Sequence, residues 1–297
     1  MQSITRIAVI LLSYLTVMVS SYGVEPAKIK PPFAPRMDLP KVREEIRTQF
    51  DICGIKKPEK PPKLLVFWKC EGFAHAQAIE YAIAMYQVAM TQGYCVVDFS
   101  GDYEDLKAEK LNTYDALVLN NTTNLKVGEH PDMEKTILEF VRSGKGYVVL
   151  HGGADNFKES PALCEMLGGL FGGHPWTWRG GDWKFKIDDP KSSISAPLGK
   201  DPFFFADEIY QHRKPYGDRS KMHVLVSMDF SDEKTAQMNV EKQCHKDTND
   251  YPVSWIRDEG KGRVFYTSFG HDRAAYVHPQ ILPHILLGTL YAAGTIQ

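Results

Sequence analysis

Short, uninterrupted apolar runs alternate along this chain with longer stretches in which apolar residues recur at helical spacing. Leu64 to Trp68 is apolar and β-prone throughout, and it stops at Lys69-Cys70-Glu71-Gly72-Phe73-Ala74-His75. A helix is predicted from Ala76 to Thr91, with Ile79, Ile83, Tyr86 and Met90 on one face and Gly93 just past its end. The pattern repeats. Strands are predicted at Tyr94 to Phe99, Ala116 to Leu119 and Tyr147 to Leu150, with helices at Tyr103 to Leu111 and Pro131 to Val141 between them. Strands with no polar face are those buried on both sides of a parallel sheet, so the expected fold is a doubly wound α/β sandwich with flanking helices.

Beyond Leu150 the pattern loosens. A helix over Ser160 to Leu167 takes Pro161 at its first position. A glycine and aromatic loop runs from Gly168 to Trp178. Strands are predicted at Asp182 to Ile187, Val224 to Met228, Pro252 to Ile256 and Arg263 to Ser268, the last two joined by a hairpin-type turn at Asp258 to Gly262. Ser231 to Asn249 is polar and predicts an exposed, mobile insertion. A helix from Pro279 to Ala293 closes the chain.

The beginning differs from the rest. One positive residue in Met1 to Arg6, an apolar or small run from Ile7 to Ser20, and Ser21-Tyr22-Gly23 predict a secretory signal over 1–23, removed on export to the periplasm or medium. The apolar run is short for a membrane span and no second one follows, so no stable membrane span is expected after cleavage. Residues 24–62 are rich in proline and lysine and predict an extended arm, with a short helix only at Leu39 to Phe50. The α/β domain then occupies 63–297. A net charge of -2 with no basic patch argues against nucleic-acid binding. Five cysteines at irregular spacing do not form a disulfide framework, although one incidental bridge stays open.

Candidate chemistry gathers at strand ends and in glycine loops: Glu71 with His75, Asn120 to Thr123, His151 with Asp155, His174, the pair Asp207-Glu208, and His271 with Asp272. In a parallel sheet the strand ends share one rim, where ligands bind. Histidines and carboxylates converging there suit general acid-base work or a divalent metal. Each also has a bland alternative: His151 capping carbonyls, His75 beside a helix start, His271 exposed after a strand, Asp207-Glu208 joining an insertion. Trp176 and Trp178 suit a wall on which a sugar stacks, or else plain loop packing. Val149-Leu150-His151-Gly152-Gly153 has the spacing of a strand-to-helix nucleophile elbow, but histidine stands where serine or cysteine belongs.

Five motifs in order, Glu-Gly-Phe-Ala-His at 71–75, Leu-His-Gly-Gly-Ala-Asp at 150–155, Gly-Gly-His-Pro-Trp at 172–176, Asp-Glu-Ile-Tyr at 207–210 and Gly-Arg-Val-Phe-Tyr-Thr-Ser-Phe-Gly-His-Asp at 262–272, resemble the ThuA-like (trehalose-utilisation) proteins. The resemblance covers Lys63 to Ala293, and the leader and arm look like the family's exported bacterial branch. It implies a flavodoxin-like, mostly parallel sheet of the class I glutamine amidotransferase-like type. It also implies a role in the breakdown of trehalose-like disaccharides or their 3-keto derivatives, without glutaminase activity. On this reading His151, Asp155, His174, Glu208 and His271 are catalytic. His75, His151 and His174 hold a divalent metal, zinc or similar, and Glu71, Asn121, Thr122, Trp176 and Tyr210 contact the carbohydrate. A carbohydrate-binding protein without turnover is the alternative. The sequence leaves the sugar and the oligomeric state open.

Overall fold

The uninterrupted apolar runs become the middle of one sheet. Strands β1 (Lys63–Phe67), β2 (Val96–Ser100), β3 (Ala116–Asn120) and β4 (Gly146–Leu150) are mutually parallel, and β3 and β4 are buried along their whole length. The computed structural model describes residues 33–297, so the signal expected over 1–23 lies outside the described residues. Strands β5 (Trp183–Ile187), β6 (Phe203–Phe205), β7 (His223–Met228), β8 (Pro252–Glu259) and β9 (Gly262–Thr267) extend the sheet to nine strands in the order β2-β1-β3-β4-β9-β8-β7-β5-β6.

The chain's last strand, β9, returns to lie parallel to β4, with Leu150 opposite Thr267. From β9 outward every pairing is antiparallel. The parallel unit expected from the sequence is therefore half of a mixed sheet. The polar alternation in β5 and the tight turn at Gly260-Lys261 mark the hairpin-built half.

Alternate side chains of the parallel strands feed two cores. Leu64, Val66, Val118, Val148 and Leu150 face α1 (Pro40–Cys53), α2 (Ala76–Thr91) and, at the far end of the chain, α7 (Ile281–Ala292). Leu65, Phe67, Leu117, Leu119, Tyr147 and Val149 face the other layer, α3 (Ala108–Leu111), α4 (Met133–Arg142) and α5 (Pro161–Leu167). The short α6 (Glu233–Gln237) lies against β5.

The short helix expected at Leu39 to Phe50 is α1, which starts at Pro40, packs on α2 and α7, and buries Ile46 and Phe50. Each such side chain contributes about 1.5–3 kcal/mol by leaving water. Arg36 is tied to Glu80 on α2 by a fork of hydrogen bonds, including Nε to Oε1 at 2.9 Å. The region 231–249 is exposed over most of its length, as the sequence predicts, but it is pinned to the domain at three points. Thr235, Gln243 and His245 are buried. Thr235 Oγ1 accepts from the Lys184 N–H at 3.0 Å and donates to Asp232 at 2.7 Å, and the Gln243 amide donates to Ala236 O and Met238 O. These buried polar side chains bond within the protein instead of water, which a polarity pattern does not reveal. Among the described residues no helix is long and apolar enough to cross a membrane.

Candidate functional site

At the carboxyl end of β4 the chain turns sharply. His151 takes φ +38°, an uncommon conformation for a residue with a side chain. A three-ten turn follows over His151–Asp155. This is the elbow geometry that the motif at 149–153 predicts, with an imidazole at its apex. The turn needs its glycines: a Cβ on Gly153 would meet Val149 Cγ1 at 2.6 Å.

Three imidazoles from three separate segments meet at the elbow. His75 stands at the start of α2, His151 follows β4, and His271 follows β9. Their ring centroids form a triangle, 5.1 Å from His75 to His151, 5.2 Å from His75 to His271 and 5.1 Å from His151 to His271. Glu208 completes the group, with Oε1 3.8 Å from Nε2 of both His151 and His271. Its other oxygen points elsewhere, Oε2 lying 3.6 Å from Nδ1 of His174. His174 is half exposed while Glu208 is nearly buried, so His174 stands between the cluster and solvent.

The rings are held in one orientation. The Ser268 carbonyl can only accept, so His151 donates to it from Nδ1 at 2.8 Å, leaving the Nε2 lone pair free. Ser268 Oγ also accepts from the Tyr210 N–H at 2.8 Å, placing the Tyr210 ring 4.1 Å from that of His151. The Tyr210 hydroxyl lies 3.4 Å from Nε2 of His75. Burial, and then the neighbouring imidazoles, hold His75 and His151 well below the usual histidine range. Burial lowers His271 to about 4 and pushes the Glu208 carboxyl up to about 7. Tyr210 is held well above its ordinary value, chiefly by burial and then by Glu208.

These residues fit a divalent metal. Nδ1 of His75, Nε2 of His151 and Nδ1 of His271 are buried with no hydrogen-bond partner, a costly state unless something binds them, and of these the His151 nitrogen is the one that also faces Glu208. One ligating atom from each of His75, His151, Glu208 and His271 lies within 4.8 Å of the others. Neutral imidazoles with one carboxylate suit zinc or a similar ion, and the His151–Ser268 bond is the kind of outer contact that fixes a ligating tautomer.

The other sequence candidates divide. His271, expected as catalytic, joins the possible ligands, whereas His174, expected as a ligand, stands one carboxylate away from them. Asp155 pairs with Lys158 at 2.8 Å. Asn121 and Thr122 are buried in the scaffold: Asn121 donates to the Tyr276 hydroxyl at 3.0 Å, and Thr122 Oγ1 accepts from Asn156 at 2.6 Å. Glu71 stays at the surface of the rim, 3.5 Å from Lys69. Trp176 is 0% exposed, packed on Phe230 and Tyr251 with its Nε1 donating to Thr235 O, and offers no face to a ligand. The aromatic surface at the rim is instead Phe73, 42% exposed and 4.8 Å from His75, with Phe171, 4.4 Å from Tyr210. The sequence signal for Phe73 was its place between Gly72 and His75.

A mixed sheet whose fourth strand ends in an elbow, with histidine at its apex, defines a class I glutamine amidotransferase-like α/β protein lacking the elbow thiol. Within that class the chain belongs to the ThuA family, described as trehalose utilisation, whose sequence model matches residues 63–292. Its fold is similar to that of a ThuA-like protein from Bacteroides uniformis, 21% identical, covering 81% of this chain and 94% of that one at a TM-score of 0.63. A ThuA-like protein from Parabacteroides merdae is similar at 18% identity, 80% and 92% coverage and a TM-score of 0.57. No curated protein matches the chain by sequence.

Proposed function

We propose that this protein is an exported, metal-assisted enzyme of carbohydrate utilisation, acting on a trehalose-like disaccharide or its 3-keto derivative by elimination or hydrolysis. The observation that carries the reading is the convergence of His75, His151 and His271, with unpartnered buried ring nitrogens, on Glu208. These residues would hold a divalent ion, which would supply a positive charge able to polarise a ketone oxygen or a water. Glu208 has one oxygen toward the imidazoles and one toward His174, so Oε2 is free to take a proton while Oε1 faces the cluster. Glu208, nearly buried and with Oε2 turned toward the half-exposed His174, is the carboxylate placed for proton transfer.

A 3-keto group acidifies the C2–H of the same ring. Glu208 takes that proton, the electron pair forms C1=C2, the C1–O bond breaks, and the leaving oxygen receives a proton. His174, half exposed beside Glu208, exchanges the proton with solvent. Phe73 and Phe171 offer apolar faces to sugar C–H groups. The family's description supports the substrate class, and the charged and apolar start of the chain supports export.

The test measures metal content of purified protein and turnover on trehalose and 3-keto-trehalose, before and after chelation. Stoichiometric metal with chelator-sensitive turnover is expected. Saturable trehalose binding without turnover on either sugar would leave a carbohydrate-binding protein in its place. For export, mass spectrometry of secreted material is expected to find a chain beginning near Val24, and retention of Met1 to Gly23 would refute it.

A further inference from the structure

Asp207 precedes Glu208, is fully buried, and touches none of the three imidazoles by hydrogen bond. Its carboxylate accepts three backbone N–H groups. Oδ1 takes those of Glu208 at 2.8 Å and Asp272 at 3.0 Å, and Oδ2 takes that of Gly270 at 2.7 Å. Gly270 and Asp272 flank His271. One side chain thus grips both sides of His271 and the peptide of Glu208, on segments more than sixty residues apart in the chain. Gly270 is gripped from the other side too: Tyr276 donates to its carbonyl at 3.1 Å, and its φ of +112° suits glycine.

We infer that Asp207 is a positioning residue, a latch that joins the Glu208 segment to the His271 segment and sets the spacing of the four ligating side chains. Two oxygens facing three donors cannot be reproduced by an amide. In Asp207→Asn one oxygen becomes an NH2, and turned either way it sets a donor against a backbone N–H. The Gly270 peptide, or those of Glu208 and Asp272, must then move, and His271 or Glu208 moves with it. Buried polar partners of this kind, one shell behind a metal's ligands, typically change affinity 10–100-fold when lost.

The affinity readout rests on the metal reading above, and a second readout does not. The mature chain is prepared as wild type, as Asp207→Asn, and as Asp188→Asn. Asp188 bonds Arg219 and Ser227, away from the rim, and supplies a control for lost stability. Each is titrated with Co2+ and its visible spectrum recorded. The imidazole resonances of His271, His75 and His151 are compared in metal-free protein. Asp207→Asn should bind Co2+ about 10–100-fold more weakly, with an altered spectrum, and shift the metal-free His271 resonances. Asp188→Asn should match wild type in both, whatever its melting temperature. Wild type that takes up no Co2+ ends the metal reading and leaves the resonances to decide the latch. Unmoved His271 resonances in Asp207→Asn overturn the latch in either case. Asp207→Ser is the smaller substitute if the asparagine variant does not fold. If neither folds while Asp188→Asn does, Asp207 serves the whole domain and the positioning role falls.

Discussion

Gly152 lies so close to His75 that a Cβ built on it would sit 2.9 Å from both Nδ1 and Cε1 of the ring. The residue after the elbow is therefore the floor on which one possible ligand rests. Gly152→Ala must displace the imidazole, because on its other side the added carbon meets the Asn121 carbonyl at 3.2 Å. The cost of such overpacking is about 1–3 kcal/mol. A thermal melt should show it, and metal content should fall with the displaced ring. An unchanged melt would contradict the contact, and a lowered melt with full metal content would remove His75 from the metal's ligands.

The imidazole triangle predicts non-additivity. His151→Ala and His271→Ala should each abolish metal binding and turnover, and the double variant should cost little more, because residues acting as a unit do not add. His174→Ala should behave differently: metal retained, turnover reduced. Thermal stability, metal content and turnover measured on the same samples distinguish these outcomes. If the two single variants keep metal and turn over normally, the rim is structural.

With histidine at the elbow, no thiol is presented there. Cys70, the cysteine beside the rim, is buried, contacts the Asn121 carbonyl at 3.4 Å, and has its thiol pushed up to about 11 by burial. It is a poor nucleophile at neutral pH. The purified protein should release no ammonia from glutamine, and Cys70→Ser should leave sugar turnover largely intact. Loss of turnover in a folded Cys70→Ser protein would point to a role for the thiol.

Two buried histidines away from the cluster's ligands set an acid limit on stability. Burial lowers His284 to about 4 and His212 to about 3. Both lie below the unfolded value near 6.5, so the unfolded chain binds protons first. Their contribution is complete above about pH 6.5 and is lost as pH falls toward 4 and then 3, at up to about 1.4 kcal/mol per pH unit for each. Denaturant melts from pH 7.5 to 4 should show this fall. His284→Gln should make it shallower, since glutamine keeps polar atoms near Ser254 and Ile194 without titrating while His212 still titrates. An equally steep fall in that variant would assign the effect elsewhere.

The parallel half of the fold was legible because strands buried on both faces leave no polar residue in the run, as in Ala116 to Leu119 and Tyr147 to Leu150. The other half was not, since nothing in β5 to β8 says which strand pairs with which, or that β9 returns to β4. His75, His151, Glu208 and His271 were readable as strand-end chemistry, but the division between ligand and outer residue was not: His174 and His271 look alike in sequence and differ only in where their loops fold. Trp176 misled because an aromatic residue in a glycine loop reads as a ligand wall, whereas here the loop dips into the core. Asp207 stood beside Glu208 as a second carboxylate, and only its three N–H partners separate the two roles.

The pairing of β4 with β9 also sets a schedule for synthesis. Residues 146–150 must wait for residues 263–267 before the sheet's central seam can close. His151 and His271 leave that seam on either side, and Glu208 reaches it through the chain between. Without β9 beside β4, His271 has no place next to His151 and the cluster is incomplete. Contacts this distant in sequence form late and slowly. The chemistry of the rim is therefore complete only when the last strand has docked.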